Sequence, residues 1–265
     1  MRLATWNVNS VTSRLPRLVE WLEATRPDVL CLQETKCSAD NFPYDEVRPL
    51  GYEVAAHGDG RWNGVALLSR VGLAEVTRGL RDEPGFPGPE ARAIGATCSG
   101  VRVWSVYVPN GREPGHDHYA YKLGWLTALR DTVSAESPSA SPYAVCGDFN
   151  VAPTDEDVFD PTAFVGSTHV TPPERAGLAA LRDLGLTDVV PRPLKYDRPF
   201  TYWDYRAGMF HRNLGMRIDL VYASAPLAAA VTDAYVDREA RKGKGPSDHA
   251  PVVVDADLSL SVQPT

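Results

Sequence analysis

The chain lacks an apolar run long enough to cross a membrane. No stretch of about 18 consecutive apolar residues occurs in its 265 residues. Its beginning carries Arg2 and then a strand-like alternation, instead of the apolar stretch of a secretory signal. These absences predict a cytoplasmic protein that does not associate with membranes.

Cysteine is scarce, and its four residues do not follow the spacing of a metal site. Two of them, Cys31 and Cys146, lie within apolar runs that resemble strands. We therefore expect reduced and mostly buried thiols instead of disulfides.

The sequence also lacks an excess of positive charge, since its formal net charge is −7. Bulk charge therefore cannot hold nucleic acid, and a DNA partner would require a local basic surface.

A hydrophobic content of 43% is ample for a sizeable core. Without an interdomain linker, a repeat or a shift in composition, we expect one domain over residues 1–258, a tail over 259–265, and a monomer.

Apolar periodicity predicts strands and helices in mixed order. Three helices are predicted from Leu15 to Leu22, from Tyr121 to Val133 and from Pro172 to Leu184, with Pro27 and Gly185 ending the first and the last. Strands are predicted over 1–10, 29–32, 52–56, 64–69, 101–108, 143–146, 218–222 and 252–254, with one more paired to 101–108 through Ser99-Gly100.

The most informative stretch is 143–155, where a buried strand runs into Gly147-Asp148-Phe149-Asn150. Alternate residues of a strand point the same way, so Asp148 and Asn150 can present a carboxylate and an amide to one ligand. The alternative is a capped strand end followed by a Pro turn.

Polar residues recur at the ends of other predicted strands. Asp219 lies in an apolar run, where a carboxylate needs a partner, and His249 is the candidate. Taken singly, Glu34 would more often be a solvated loop residue and His249 a structural one. Oxygen ligands with one imidazole favour Mg²⁺ or Mn²⁺ over structural zinc, and such a site suits phosphoryl chemistry. The set comprises Asn7, Asn9, Glu34, Tyr107, Asn110, Asp148, Asn150, Asp219, Asp248 and His249.

The segment 191–217 interleaves arginines with aromatic residues. This pattern suits phosphates and unstacked bases or sugars. The alternative is a long ordered loop whose aromatic rings fill the core. The sequence leaves both open.

The order of these motifs resembles bacterial exonuclease III, within the endonuclease/exonuclease/phosphatase superfamily. The resemblance extends from residue 1 to about 258. It implies a four-layer α/β sandwich, in which two mixed β-sheets pack face to face with helices outside. The motifs are Trp6-Asn7-Val8-Asn9, Leu32-Gln33-Glu34-Thr35-Lys36, Gly64-Val65-Ala66-Leu67-Leu68, Tyr107-Val108-Pro109-Asn110-Gly111, Gly147-Asp148-Phe149-Asn150, Arg217-Ile218-Asp219 and Pro246-Ser247-Asp248-His249-Ala250-Pro251.

The resemblance also implies an activity and residue roles. The expected enzyme is a Mg²⁺-dependent DNA phosphodiesterase of base excision repair, with Mn²⁺ as a possible substitute. It would cleave 5′ to abasic sites, digest DNA 3′ to 5′ and clean blocked 3′ ends of double-stranded DNA. The implied metal ligands are Glu34, Asn7 and Asp248; the catalytic residues are Asp148, His249, Tyr107, Asn150 and Asp219; the substrate contacts are Asn110, Tyr202, Trp203, Asn213, Met216 and Arg217.

The chain departs from the family pattern at two positions of the sugar pocket. Tyr202 replaces a Trp or Phe of relatives, and Met216 replaces a different apolar residue, so the balance of activities is open. Two other functions are alternatives to this activity. One is a phosphoesterase of the same fold that acts on a phospholipid or inositol phosphate, and the other is a DNA-binding module without catalysis.

Overall fold

The protein is described by a computed structural model that covers residues 1–136 and 138–258, so the expected tail 259–265 lies outside the described residues. Its strands are β1 Arg2–Asn7, β2 Val29–Gln33, β3 Glu53–His57, β4 Val65–Ser69, β5 Ala74–Arg78, β6 Ala93–Cys98, β7 Val101–Tyr107, β8 Tyr143–Asp148, β9 Thr187–Asp188, β10 Asp219–Ala223, β11 Val231–Val236 and β12 Val252–Ala256. Its α-helices are α1 Val11–Thr25, α2 Tyr44–Val47, α3 Asp117–Ala135, α4 Pro172–Asp183, α5 Met209–Arg212 and α6 Ala225–Ala230.

The strands form two six-stranded sheets. One has the order β11-β12-β1-β2-β4-β3 and the other β5-β6-β7-β8-β10-β9. Each sheet has one parallel pair at its centre, β1 with β2 and β7 with β8, and antiparallel pairs elsewhere. Helix α1 connects the first parallel pair and α3 the second, because parallel strands need a crossover connection.

The central strands are buried on both faces, which explains their continuous apolar runs. In β2, Val29 and Cys31 pack into the core between the sheets, whereas Leu30 and Leu32 pack beneath α1. On the other sheet, α3 and α4 cover a second outer core. The helix, sheet, sheet, helix layering confirms the expected four-layer sandwich.

Three strands were not expected from the sequence. β5 is mostly exposed, β9 has only two residues, and β11 is an edge strand with a register shift. Weak or interrupted apolar alternation of this kind gives little signal. The expected helices are present, although the third ends at Asp183, one residue before the partly buried Leu184.

The four cysteines are free thiols, and three of them are buried, in line with the expectation of reduced side chains. No helix within residues 1–136 and 138–258 combines the length and apolar character that crossing a membrane requires.

Candidate active site

The two parallel strand pairs end at the same edge of the molecule. Asn7 is paired in register with Gln33 at the end of one pair, and Tyr107 with Asp148 at the end of the other. Asp219 begins the antiparallel strand β10 directly opposite Asp148. Polar residues that are scattered along the chain therefore meet where the strands stop.

Asn7 joins the two sheets at this edge. Its side-chain Nδ2 donates to Glu34 Oε1 and to Asp148 Oδ2, both at 2.9 Å. Glu34 follows strand β2, and Asp148 ends strand β8 of the opposite sheet. The two carboxylates are thus brought together by a single buried amide.

His249 completes this group from the segment before β12. Its Nδ1 lies 2.8 Å from Asp219 Oδ2, and its Nε2 lies 3.8 Å from Asp148 Oδ2. One ligand atom each of Glu34, Asp148 and His249 lies within 4.8 Å of the others. The convergence expected from the sequence is therefore present in the structure.

The environment shifts the pKa values of these buried groups. Burial raises the pKa of Asp148 to about 7, against the opposing charge of His249. Burial alone would lower the pKa of His249, but the charge and hydrogen bond of Asp219 raise it to about 10. This is the direction that pairing of His249 with Asp219 predicts. At neutral pH the imidazole is a cation, while Asp148 can accept a proton.

Glu34 adopts a left-handed backbone conformation with φ 51°, which places its carboxylate back over the strand ends. Lys36 Nζ lies 2.7 Å from Glu34 Oε2 and 2.5 Å from Asn9 Oδ1. Asn9 Nδ2 in turn donates to Asp248 Oδ1 at 3.0 Å. Burial opposes ionisation of Glu34, yet Lys36 and Asn7 lower its pKa below the ordinary value. Glu34 is therefore a carboxylate near neutral pH.

Tyr107 borders the same group with its phenol. Burial, and then the negative charge of Glu34, raise the pKa of Tyr107 well above its ordinary value. The guanidinium of Arg92 lies over the Tyr107 ring, 4.7 Å from its centroid. The phenol therefore stays protonated and can donate a hydrogen bond.

Asn150 and Asn110 lie on the other side of Asp148. The backbone N–H of Asn150 donates to Asp148 Oδ1 at 2.9 Å, and its Nδ2 donates to the Val108 carbonyl at 2.9 Å. Asn110 Nδ2 donates to Asn150 Oδ1 at 3.3 Å, while the residue itself is exposed. Two amides are thus placed beside the carboxylate that can accept a proton.

Tyr202 and Met216 border the site from the segment before β10. The Tyr202 and His249 ring centroids are 4.9 Å apart. Tyr202 and Met216 exchange two backbone hydrogen bonds, each of 3.0 Å. The Tyr202 ring therefore lies next to His249, with Met216 paired to it through the backbone. The sugar pocket expected from these two residues stays a prediction.

Trp203, Asn213 and Arg217 were expected to contact the substrate, and each also has partners within the protein. Trp203 is fully buried in the core between the sheets and donates to Asn213 Oδ1 at 3.3 Å. Arg217 is buried between Asp157 and Asp188, at 2.6 and 2.9 Å. Trp203 and Arg217 are thus held by partners within the protein, and the substrate contact expected for them stays a prediction. The alternative in which aromatic rings of this segment fill the core holds for Trp203.

Several residues of the site were missed in the sequence. Lys36 belongs to the motif Leu32-Gln33-Glu34-Thr35-Lys36, but its contact with Glu34 depends on the left-handed backbone conformation of Glu34. Lys122, His169 and Glu174 lie directly behind Asn150 and form a polar network in which Lys122 and Glu174 are buried and His169 is half-buried. The only sequence signal was a lysine next to Tyr121 on an apolar helix face, which is usually solvated.

The donor set fits a divalent cation with a preference for oxygen. Carboxylate oxygens of Glu34 and Asp148 lie close together, and Glu34 is held in its ionised form. The imidazolium of His249 adjoins them but has no lone pair for a metal. Asn7 faces the carboxylates with Nδ2, since its Oδ1 accepts the Asn9 N–H at 3.0 Å. Asp248 lies one residue before His249 and contacts Asn9. Glu34 is thus the candidate principal ligand, and Asp248 is linked to it through Asn9 and Lys36.

Comparison with known proteins agrees with this geometry. Residues 4–249 match the model of the Endonuclease/Exonuclease/phosphatase family. The chain is 30% identical to the exodeoxyribonuclease III of Haemophilus influenzae over 95% of its own length and 98% of that protein.

Two solved structures are also similar. The 3′ phosphatase NExo from Neisseria, bound to a product DNA hairpin, is 40% identical with a TM-score of 0.92, over 97% of this chain and 99% of that one. An AP endonuclease from Archaeoglobus fulgidus is 36% identical with a TM-score of 0.91, over 97% and 99% of the two chains. The likeness therefore spans both sheets and every segment of the site.

Proposed function

Since the chain belongs to the exonuclease III/AP endonuclease family of the endonuclease/exonuclease/phosphatase superfamily, we propose that it is a Mg²⁺-dependent DNA phosphodiesterase of base excision repair. Its proposed reactions are 3′-end cleaning, 3′ to 5′ exonuclease digestion and cleavage 5′ to abasic sites. The relatives named above are a 3′ phosphatase, an exodeoxyribonuclease and an AP endonuclease. The observation that carries the proposal is the meeting of Glu34, Asp148 and His249 within 4.8 Å.

When bound, Mg²⁺ would neutralise charge on the phosphate and on the departing 3′ oxygen. Glu34 would hold the cation with its carboxylate, and Asp248, in the segment before β12, would contribute a second carboxylate. Asn7 keeps Glu34 and Asp148 at a fixed separation through its two hydrogen bonds. Lys36 balances the charge of Glu34 until the cation is present.

Asp148 would remove a proton from the attacking water. Its pKa of about 7 suits a general base at neutral pH, because both the ionised form and the driving force for proton transfer are then available. Asn150 would orient the water, since its backbone is bonded to the same carboxylate. Asn110, hydrogen-bonded to the side chain of Asn150, would contact the substrate.

His249 and Tyr107 would stabilise negative charge on the phosphate. The imidazolium is held in place by Asp219 and stays charged near neutral pH. The phenol of Tyr107 stays protonated and would donate to a phosphate oxygen or to the leaving group. Both groups would act at the strand ends, where charge interactions are stronger than in bulk water.

The proposed substrate is double-stranded DNA with a 3′ end or an abasic site. Tyr202 and Met216 would form the pocket that receives a frayed or flipped-out sugar. The Tyr202 ring lies beside His249, which would face the phosphate, and Met216 is hydrogen-bonded to Tyr202 through the backbone. The identity of these two side chains would set which sugar is accepted.

Incision assays with defined DNA test the proposal. The protein is incubated with 3′-phosphate duplex, blunt duplex and abasic duplex, each with Mg²⁺ and with excess EDTA. We expect product that depends on Mg²⁺ from at least the 3′-blocked duplex, with EDTA abolishing it and added Mg²⁺ restoring it. Absence of metal-dependent cleavage on all three substrates would contradict the proposal.

A further inference from the structure

Lys122 lies on α3 with its ammonium group fully buried behind the candidate site. Its Nζ donates to the backbone carbonyls of Asn150 at 2.7 Å and of Asn110 at 3.1 Å. We propose that Lys122 is a positioning residue that fixes Asn150 and Asn110 for the reaction. The inference rests on the function proposed above, and it assigns a role to a residue that cannot touch the substrate itself.

Asn150 requires this support because of its backbone. It adopts a left-handed conformation with φ 51°, which is costly for a residue other than glycine. Its N–H is held by Asp148, and its carbonyl accepts both Lys122 Nζ and His169 Nδ1, the latter at 2.5 Å. The peptide groups on both sides of Asn150 are therefore fixed, and its side chain is aimed by the backbone.

Asn110 is held by the same ammonium group. Its carbonyl accepts Lys122 Nζ and also Thr168 Oγ1 at 3.0 Å. The next residue, Gly111, has φ +89°, and a Cβ there would lie 2.9 Å from Lys122 Cδ. The turn that carries Asn110 is thus packed directly on the lysine stem, and movement of one would displace the other.

Stability alone does not account for a charge in this position. Burying an ammonium ion costs several kcal/mol, and apolar replacement of a buried ion pair is often neutral or stabilising. Lys122 is neutralised by Glu174, whose Oε1 lies 2.5 Å from Nζ. An apolar pair could fill the same space, but it could not hold two carbonyl oxygens in place. The need to hold the backbone carbonyls of Asn150 and Asn110 therefore best explains why a lysine is buried here.

Two substitutions made together test this role. Lys122→Met keeps the length of the side chain without its donors, and Glu174→Gln avoids leaving a buried carboxylate without a partner. We expect kcat on 3′-phosphate duplex to fall by about 10- to 100-fold, because small misplacement of reacting groups costs rates of this order. KM for the duplex should stay within about threefold, since the exposed contacts with DNA are unchanged.

A matched control comes from a second ion pair with the same charge change. Arg102 Nη2 lies 3.0 Å from Glu136 Oε1 at the start of β7. This pair is about 17 Å along the strand from Tyr107. The variant that combines Arg102→Met with Glu136→Gln should lower the melting temperature but keep kcat within about twofold at a temperature where both variants are folded. Equal loss of kcat in both variants would overturn the proposal.

A second readout does not depend on activity. In ¹⁵N-labelled protein, the backbone and side-chain amide signals of Asn150 and Asn110 should shift or broaden in the Lys122 variant and stay unchanged in the control. Unchanged signals together with unchanged kcat would overturn the positioning role. If wild-type protein cleaves no DNA, the proposed function fails, and the amide signals still decide whether Lys122 fixes the two asparagines.

Discussion

Asp148 carries the largest share of the proposed chemistry at the scale of single residues. Replacing it by Asn keeps its size but removes the proton acceptor. We expect Asp148→Asn to lower kcat by about 10²- to 10⁴-fold, the range that a general base contributes. Single-turnover cleavage and a DNA-binding titration measure the two effects separately.

The same experiment separates an enzyme from a module that only binds DNA. Affinity for the duplex should be retained in Asp148→Asn, because the residue is buried and is proposed to meet only the reacting phosphate, away from the exposed residues proposed to contact DNA. Equal cleavage by wild type and variant would remove Asp148 from its proposed role.

His169 predicts a pH dependence of stability. Burial, and then the charge of Lys122, lower the pKa of His169 to about 4, below the value of about 6.5 in an unfolded chain. Between these values the unfolded chain binds a proton that the folded chain does not. Stability therefore falls as the pH falls from 6.5 to 4, by at most about 3 kcal/mol for this group.

The variant His169→Asn isolates this contribution, since it keeps a donor for the Asn150 carbonyl but does not titrate. Urea unfolding at several pH values should give a flatter dependence for the variant between pH 6.5 and 4.5. Parallel curves for the two proteins would show that the imidazole does not titrate as described. Glu174 is the negatively charged group near His169. Burial opposes its ionisation, but Lys122 lowers its pKa to about 2, so it stays ionised throughout this pH range.

At the scale of elements, the pairing of β7 with β8 depends on Gly147. A Cβ at this position would lie 1.9 Å from the backbone oxygen of Val106. We expect Gly147→Ala to lower the free energy of unfolding by about 2–4 kcal/mol, because backbone atoms must shift to make room. Gly88→Ala is the control, since no atom lies within 4 Å of its added Cβ. Comparable urea midpoints for both variants would contradict this account.

The sequence predicted the elements that are buried on both faces better than the edges. Continuous apolar runs revealed β2 and β8, and helical spacing revealed α1 and α3. The exposed strand β5 has little apolar character, so periodicity could not distinguish it from a loop. Edge strands gain their order from hydrogen bonds to a neighbour, and that partner is not visible in a local pattern.

Residues of the candidate site also differ in how well the sequence predicted them. Residues at strand ends, such as Glu34 and Asp148, could be placed because a strand has a definite end. Lys122 and Arg217 could not, because their charge predicted solvent or DNA while their partners are distant in sequence. Burial of a charged side chain becomes visible only when the carboxylate that neutralises it has been brought next to it.

At the scale of the whole molecule, the negative net charge requires that DNA be held locally. Arg212 and Lys244 are exposed, whereas Arg217 is buried and bound to two carboxylates. We expect the DNA association constant to fall with added salt, and Arg212→Gln to reduce the slope of log K against log salt by about 1.

Arg130→Gln on α3 is the control for this measurement, because Arg130 is paired with Asp131 far along the helix from the site. Its slope should equal that of the wild type. A salt response that is flat for all three proteins would indicate that the partner is not DNA.

Because Asn7 forms hydrogen bonds across the two sheets, the rate of cleavage should depend on how the sheets are aligned. Asn7 ends β1 of one sheet and Asp148 ends β8 of the other, so a slide of about 1 Å between the layers would break the 2.9 Å bond to Asp148. The sheets need not unfold for this to happen. Inactivation should therefore precede denaturation: in a urea series, the rate of cleavage should decline at concentrations where tryptophan fluorescence still reports a native core.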